Sequence, residues 1–220
     1  MSKSTCPAGE PSVQLQGIGH HFLGQPWLFR GLDQIFLRGR SYALTGPSGS
    51  GKSTLLSLIS GWEKPKEGSV LRASGGATSW VFQNPHGVRN RTALDHVVLP
   101  LLAQGFRRSE AVDIARTFLD TVALGEVSGR RFSELSGGEA QRLMLARGLV
   151  GGPDILLVDE PTAQLDFATA TTINQALMSV KKNQSTVIVA THDERTRDAC
   201  DEHVDLSRYA VGREETYATV

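Results

Sequence analysis

The apolar residues of this chain fall into short runs that alternate with segments of helical periodicity. Strand-like runs are expected at residues 13–18, 27–37, 41–45, 69–71, 79–82, 154–160 and 185–191. The last two are nearly uninterrupted apolar runs, which favour parallel strands covered on both faces. Helices are expected after residue 51, ending at Gly61, and over residues 168–182. The alternation predicts an α/β fold with a largely parallel sheet.

The middle of the chain lacks strand signals. Apolar residues recur at helical spacing from Leu94 to Leu102 and from Ala111 to Val122. Pro100 is expected to kink or interrupt the first of these helices. We therefore predict a helical subdomain, about residues 84–137, inserted into a domain of residues 13–206. The predicted flanks are a flexible N-terminus, residues 1–12, and a C-terminal tail, residues 207–220.

Charge and cysteine content narrow the function classes. The 220 residues contain 23 Lys plus Arg and 23 Asp plus Glu, so the formal net charge is zero. This balance argues against a general nucleic-acid binder, which needs a basic face, and against a polybasic membrane anchor. The two cysteines, Cys6 and Cys200, lie far apart, and a reducing cytosol is expected. No apolar run approaches the ~20 residues of a spanning helix, so a membrane role would require a partner.

A phosphate-binding loop follows the strand at residues 41–45. It matches GxxxxGK[ST] in full and opens a helix, which is the context that this motif requires. Its glycines let backbone N–H groups approach phosphate oxygens, and the helix N-terminus adds partial positive charge. Lys52 can reach the β- and γ-phosphates, and the Ser53 hydroxyl can ligate Mg²⁺. The residues of this predicted ATP site are Gly46, Pro47, Ser48, Gly49, Ser50, Gly51, Lys52, Ser53 and Thr54.

Two carboxylates end the apolar run at residues 155–158. Beside a phosphate-binding loop, Asp159 is expected to hold Mg²⁺, directly or through its waters. Glu160 is expected to orient and activate the attacking water. A strand that simply runs into a polar turn would give the same pattern, and it is the pairing with the loop that favours the catalytic interpretation.

A third motif, Leu135-Ser136-Gly137-Gly138-Glu139, precedes a predicted helix. Ser136 and Glu139 have the spacing of a capping box, so a plain helix start explains them. A Ser followed by two glycines at a helix N-terminus is also an anion cradle. The first loop already serves one triphosphate, so a second cradle needs a second ligand or a second subunit. The sequence leaves both interpretations open.

With these motifs the chain resembles the nucleotide-binding subunit of an ABC (ATP-binding cassette) transporter. The family's elements occur in family order over residues 13–206: the P-loop, Gln83 in VFQ, the LSGGE signature, DILLVDEP, the D-loop at 164–166 and Thr191-His192. The resemblance implies a P-loop NTPase of the ABC-type ATPase class. Its inserted subdomain would be helical, and its antiparallel β-subdomain would be trimmed, because residues 61–83 are fewer than usual.

The resemblance also implies residue roles. Gln83 would contact Mg²⁺ and the attacking water and couple to the membrane partner. His192 would contact the γ-phosphate and hold Glu160, so the implied catalytic set is Glu160, His192, Gln83 and Lys52. Ser136, Gly137, Gly138, Glu139 and Asp166 would bind ATP across a dimer interface. An aromatic residue before the P-loop strand would stack on adenine. Phe22 is the main candidate, with His21 or simple core packing as the alternatives.

The implied function is an ATPase subunit, using ATP and Mg²⁺, on the cytoplasmic face of a membrane complex. Its partners would be integral membrane permease subunits and a second ATPase subunit, identical or paralogous. Glu139, where many members have Gln, resembles the branch of lipoprotein release, macrolide export and cell-division signalling. Three alternatives remain. They are an importer ATPase, an ATPase that gates an envelope hydrolase without transport, and a soluble ABC protein, which the single cassette and zero charge disfavour.

Overall fold

The computed structural model describes residues 9–162, 165–179 and 184–211. Its strands are β1 Pro11–His20, β2 Phe29–Leu37, β3 Ser41–Thr45, β4 Glu67–Arg72, β5 Thr78–Val81, β6 Ile155–Asp159, β7 Thr186–Ala190 and β8 Glu202–Asp205. Its helices are α1 Lys52–Ser60, α2 Ala93–Ala103, α3 Arg108–Thr121, α4 Gly137–Val150, α5 Phe167–Ser179 and α6 Glu194–Ala199, with 3-10 turns at Phe132–Glu134 and Leu206–Tyr209. Within these ranges no helix is both long and apolar enough to cross a bilayer.

The main sheet has the strand order β5-β6-β7-β3-β8, and every neighbouring pair is parallel. The apolar strands β6 and β7 are fully buried, as a parallel strand covered on both faces requires. The predicted parallel α/β fold is confirmed. The carboxyl ends of β3, β6 and β7 lie side by side, so the loops that follow them meet at one edge of the sheet.

A second sheet has the order β2-β1-β4 and is antiparallel. One cluster of buried residues joins its inner face to α1 and the near face of the main sheet, and includes Leu15, Phe36 and Leu55. A second cluster joins α2, α3 and α4 to the opposite face of the main sheet, and includes Val97, Leu119 and Leu143. The P-loop strand β3 thus lies beneath the small sheet, whereas the inserted helices pack on the other side.

Some predicted bounds are wrong. Pro11 pairs with Leu37, so β1 begins inside the stretch 1–12 that was predicted to be flexible. At the other end, the 3-10 turn Leu206–Tyr209 crosses the predicted boundary at 206, and Tyr209 packs against the core. Helix α2 continues through Pro100, so the predicted interruption does not occur. Pro100 lies in the last turn of α2, and its missing N–H removes one helical hydrogen bond, to the His96 carbonyl, without ending the helix.

Candidate active site

The P-loop connects the end of β3 to the start of α1, as its sequence predicts. Gly51 caps α1 with φ 92°, a left-handed conformation that favours glycine. A Cβ atom there would lie 2.7 Å from the Phe29 ring, so the loop also packs too closely for a side chain. The Lys52 ammonium donates to the carbonyl oxygens of Gly46 at 2.9 Å and Pro47 at 3.3 Å. It therefore lies across the mouth of the loop, where a phosphate oxygen can replace these carbonyls.

The Ser50 hydroxyl oxygen is buried and has no hydrogen-bond partner among the described residues. A buried polar atom without a partner costs free energy, about 1–3 kcal/mol. Because Ser50 is not among the residues that line the cavity beside the loop, this hydroxyl is a neighbour of the phosphate site and not a direct contact to it.

Asp159 ends β6 and is 7% exposed. Burial raises the pKa of this carboxyl group, with the Glu160 charge acting in the same direction, while the Ser53 hydroxyl and the Lys52 charge lower it. A hydroxyl and a carboxylate in contact are hard oxygen ligands. Mg²⁺ is typically held by one or two such protein groups, together with waters and phosphate oxygens. The pair Ser53 and Asp159 therefore fits Mg²⁺.

Glu160 and His192 are in direct contact. Nδ1 of His192 lies 2.8 Å from Oε2 of Glu160, and the His192 backbone N–H lies 3.3 Å from the same oxygen. Glu160 has φ 47°, which is uncommon for a residue with a side chain. Its backbone N–H donates to the carbonyl of Ala190, the last residue of β7. Glu160 after β6 and His192 after β7 are thus held in contact at the carboxyl edge of the sheet.

A cavity of about 620 Å³ collects most of the predicted site. Its lining residues are Phe22, Leu28, Ser48, Gly49, Gly51, Lys52, Ser53, Thr54, Gln83, Asp159, Glu160 and His192. Leu28 was not predicted, because an apolar residue just before a strand is indistinguishable in sequence from a core residue. Gly46, Pro47 and Ser50 belong to the loop but not to the lining. A volume of this size suits a nucleotide.

Of the two aromatic candidates at the end of the cavity, Phe22 lines it and is 49% exposed. His21 packs instead against Trp27, with ring centroids 4.6 Å apart, and is not among the lining residues. Phe22 is held edge-on to His20 at 5.2 Å. The geometry favours Phe22 as a stacking surface for a planar base.

The signature residues form a complete capping box at the start of α4. Ser136 Oγ accepts from the Glu139 N–H at 3.2 Å, and Glu139 Oε2 accepts from the Ser136 N–H at 2.7 Å. The Ser136 backbone hydrogen bond lowers the pKa of Glu139. A Cβ atom on Gly138 would lie 3.3 Å from Leu165, so the signature is next to the D-loop. Gln164 of that loop lies outside the described residues.

Neither the signature residues Ser136–Glu139 nor Asp166 lines the P-loop cavity of the same chain. Asp166 caps α5 by accepting from the backbone N–H and the hydroxyl of Thr169, at 3.0 and 2.6 Å. Both motifs have a local structural role. Their N–H groups and side chains remain on a surface separate from the cavity that contains Lys52.

The sequence matches the family described as "ABC transporter" over residues 29–163. A lipoprotein-releasing system ATP-binding protein, LolD, of Rickettsia bellii is 33% identical over 90% of this chain and 96% of its own length. The LolD protein of Anaeromyxobacter dehalogenans is 34% identical over 91% of this chain and 92% of its own. Macrolide export ATP-binding/permease protein MacB 1 of Aeromonas hydrophila is 32% identical, over 92% of this chain and 34% of the longer MacB chain.

Solved structures show the same fold. A dimeric ATP-binding cassette in a post-hydrolysis state bound to ADP and Pi has a TM-score of 0.80 and 28% identity. The match covers 91% of this chain and 97% of the cassette. A dimeric bacterial ABC transporter cassette has a TM-score of 0.78 and 28% identity, over 88% of this chain and 94% of the cassette.

Proposed function

The chain belongs to the ABC transporter family of ATP-binding subunits, and from this premise we propose that it drives a separate integral membrane permease. It binds and hydrolyses ATP. The observation that carries the assignment of its residues is the single cavity that contains Lys52, Ser53, Asp159, Glu160 and His192. A cation, a hydroxyl, two carboxylates and an imidazole around one cavity are the groups that phosphoryl transfer to water needs.

In this proposal the triphosphate lies on the P-loop. Lys52 exchanges its contacts with the Gly46 and Pro47 carbonyls for the β- and γ-phosphate oxygens. Ser53 and Asp159 would hold Mg²⁺, and the ion would supply positive charge beside the transferring phosphoryl group. Burial raises the pKa of Asp159 because it disfavours the ionised carboxylate, and the positive charge of the ion would offset that cost. Phe22 and Leu28 enclose the base.

Glu160 accepts a proton from the attacking water. His192 donates to Glu160 Oε2 through Nδ1 and so fixes the carboxylate, and its exposed ring faces the γ-phosphate. Gln83, which lines the same cavity, orients the water. Because Gln83 follows β5 and His192 follows β7, the two groups approach the γ-phosphate from different strands.

We propose that Ser136, Gly137, Gly138, Glu139 and Asp166 complete the site of a second subunit. Their absence from the lining of the chain's own cavity supports this. Two such chains, identical or paralogous, would enclose two nucleotides between them, each P-loop facing the other chain's signature. Hydrolysis would reopen the dimer, and the closing and opening would move the permease from the cytoplasmic face of the membrane.

A mixed dimer tests this arrangement. One subunit carries Lys52→Ala and the other carries Ser136→Arg, so both lesions fall on one shared site and the opposite site is wild type. The mixed dimer should trap or turn over nucleotide, whereas neither mutant homodimer should. If the mixture is inactive, ATP bearing a photoreactive γ-phosphate distinguishes coupled sites from a wrong assignment. Label on the P-loop chain alone, never on the signature chain, would reject the shared site.

The similarity to LolD and MacB supports an export or mechanical-transmission type of complex rather than an importer. Affinity purification of the tagged chain from membranes tests this proposal. We expect an integral membrane protein with a large extracytoplasmic domain to accompany it. Recovery of a solute-importer permease in its place would contradict the proposal.

A further inference from the structure

Gln83 is followed by a stretch of irregular backbone, residues 84–91, called here the post-Gln83 segment. A residue that orients the attacking water must be fixed to a fraction of an ångström, and no helix or strand fixes this stretch. On the other side of Gln83 the backbone is held only weakly, because Gln141 of α4, which is 6% exposed, donates to the Phe82 carbonyl at a long 3.5 Å. A firmer anchor is therefore needed further along the segment.

His96 of α2 supplies that anchor. It is 5% exposed, and its Nε2 accepts from the Val88 backbone N–H at 2.9 Å. Its Nδ1 lies 2.7 Å from the Thr92 carbonyl oxygen, which can only accept, so Nδ1 donates. One nitrogen donates and the other accepts, which is possible only for the neutral ring in a single tautomer. The ring therefore joins the segment to the first turn of α2.

The segment is also packed and hydrogen-bonded on its other side. The backbone N–H of Phe132 donates to the Arg91 carbonyl at 2.9 Å, and that of Ser133 donates to the Arg89 carbonyl at 3.2 Å. The Phe132 ring packs against His96, with centroids 5.4 Å apart, and lies so close to Gly87 that a side chain at that position would collide with it. His96 and Phe132 thus clamp the segment between α2 and the residues that lead into the signature.

We propose that His96 is a positioning residue for Gln83. It acts through the Val88 hydrogen bond, which holds the post-Gln83 segment and hence the angle at which Gln83 enters the cavity. The inference rests on the role proposed above for Gln83 as the group that orients the water. Nucleotide binding depends on the P-loop and Phe22, so loss of His96 should lower kcat and leave the KM for ATP unchanged.

Four full-length proteins test this: wild type, His96→Leu, His96→Gln and Val98→Ala. Leu fills a similar volume without either hydrogen bond. The Gln side chain reaches as far as Nε2, and its amide oxygen can accept from Val88. Val98 is a buried residue of the same helix, and its apolar side chain cannot hydrogen-bond to the segment. Its truncation therefore controls for loss of stability.

We expect His96→Leu to lower kcat roughly tenfold to a hundredfold. It should also speed hydrogen exchange at the Val88 amide. His96→Gln should restore most of kcat and most of the protection of the Val88 amide. Val98→Ala should lower thermal stability but leave kcat unchanged. Wild-type kcat in His96→Leu would overturn the proposal. So would a failure of His96→Gln to restore Val88 protection, or an equal loss of kcat in Val98→Ala. Failure of the proposed function itself would appear separately, as Lys52→Ala hydrolysing ATP like the wild type.

Discussion

At the scale of single residues, Glu160 has two unusual properties. Its backbone is left-handed, φ 47°, and its carboxylate is only 11% exposed yet bonded to the more open His192. Strained backbone at a buried acid persists only where neighbouring contacts hold it, here the hydrogen bond from its N–H to Ala190. Such strain is typical of catalytic positions, and the residue's chemistry can be tested without changing its shape.

Glu160→Gln should preserve ATP binding and abolish base catalysis. The hydrolysis rate should fall by a hundredfold or more, which is roughly the contribution of a general base. Because the site still closes, an ATP-bound dimer should accumulate, visible as an earlier peak in size-exclusion chromatography with ATP. Glu202→Gln, at an exposed ion pair with Arg40, is the matched control and should behave as wild type. A Glu160→Gln protein that hydrolyses normally would place the base elsewhere.

Removing the charge of Asp159 should stabilise the nucleotide-free fold, although the proposed function needs that charge to hold Mg²⁺. Its pKa is raised by burial, so the ionised carboxylate destabilises the nucleotide-free fold at neutral pH. Asp159→Asn should therefore raise Tm by roughly 2–4 °C without Mg²⁺ and ATP. The difference should shrink as the pH falls through the raised pKa of the folded state. Asp154→Asn, which removes an ion pair with Arg38 at 3.2 Å, should lower Tm instead. A drop in Tm for Asp159→Asn would refute this interpretation.

At the scale of elements, α4 begins at a motif with two roles. The capping box of Ser136 and Glu139 is complete, so the start of a helix explains these two residues of LSGGE. It does not explain why two glycines follow the cap, and a Cβ atom on Gly137 would meet nothing within 4 Å. Space left open beside free helix N–H groups is what an incoming anion requires.

Removing only the Ser136 hydroxyl should show how much the capping box stabilises the chain, apart from any role in anion binding. Ser136→Ala should destabilise the nucleotide-free chain by about 1 kcal/mol, and Ser136→Thr by less, because threonine keeps the hydroxyl. The backbone N–H of Ser136, which all three proteins keep, lowers the pKa of Glu139, so this second half of the box stabilises the chain at neutral pH and is lost in every variant as the pH falls through that lowered pKa. Thermal melts across acidic pH provide the measurement. Equal stability of the three proteins at neutral pH would show that the box is unimportant.

The positions of most elements followed from periodicity, whereas the short elements α6 and β8 were not predicted, and the misplaced bounds share a cause. The start of β1 at Pro11 depends on pairing with Leu37, and the ordered turn at Tyr209 depends on core contacts. Neither partner is near in sequence. The sequence predicts site residues well where they are consecutive in one motif, as in the P-loop. There the backbone conformation itself requires particular residues, such as glycine at position 51. Leu28 and His96 were missed because their roles depend on what the fold brings next to them.

At the scale of the whole molecule, the sheet order divides the site between distant parts of the chain. Lys52 and Ser53 follow β3, Gln83 follows β5, and the two acids lie at the carboxyl end of β6. The inserted helices between β5 and β6 place the signature on a separate surface from the cavity. A monomer of this fold therefore has one P-loop cavity and one outward signature. The arrangement favours pairing of two chains head to tail over any activity of one chain alone.

The position of β3 between β7 and β8 has a consequence for biosynthesis. The strand that carries the P-loop lies in the first quarter of the chain, yet both of its hydrogen-bonded neighbours come from residues 186–205. During synthesis on the ribosome, β3 has no partner in the main sheet until those residues emerge. A fragment ending before Thr186 should then fail to bind a fluorescent ATP analogue, even though it contains the entire GxxxxGKS motif. Nascent chains of this protein would thus be unable to bind ATP until the residues of β7 and β8 have emerged from the ribosome.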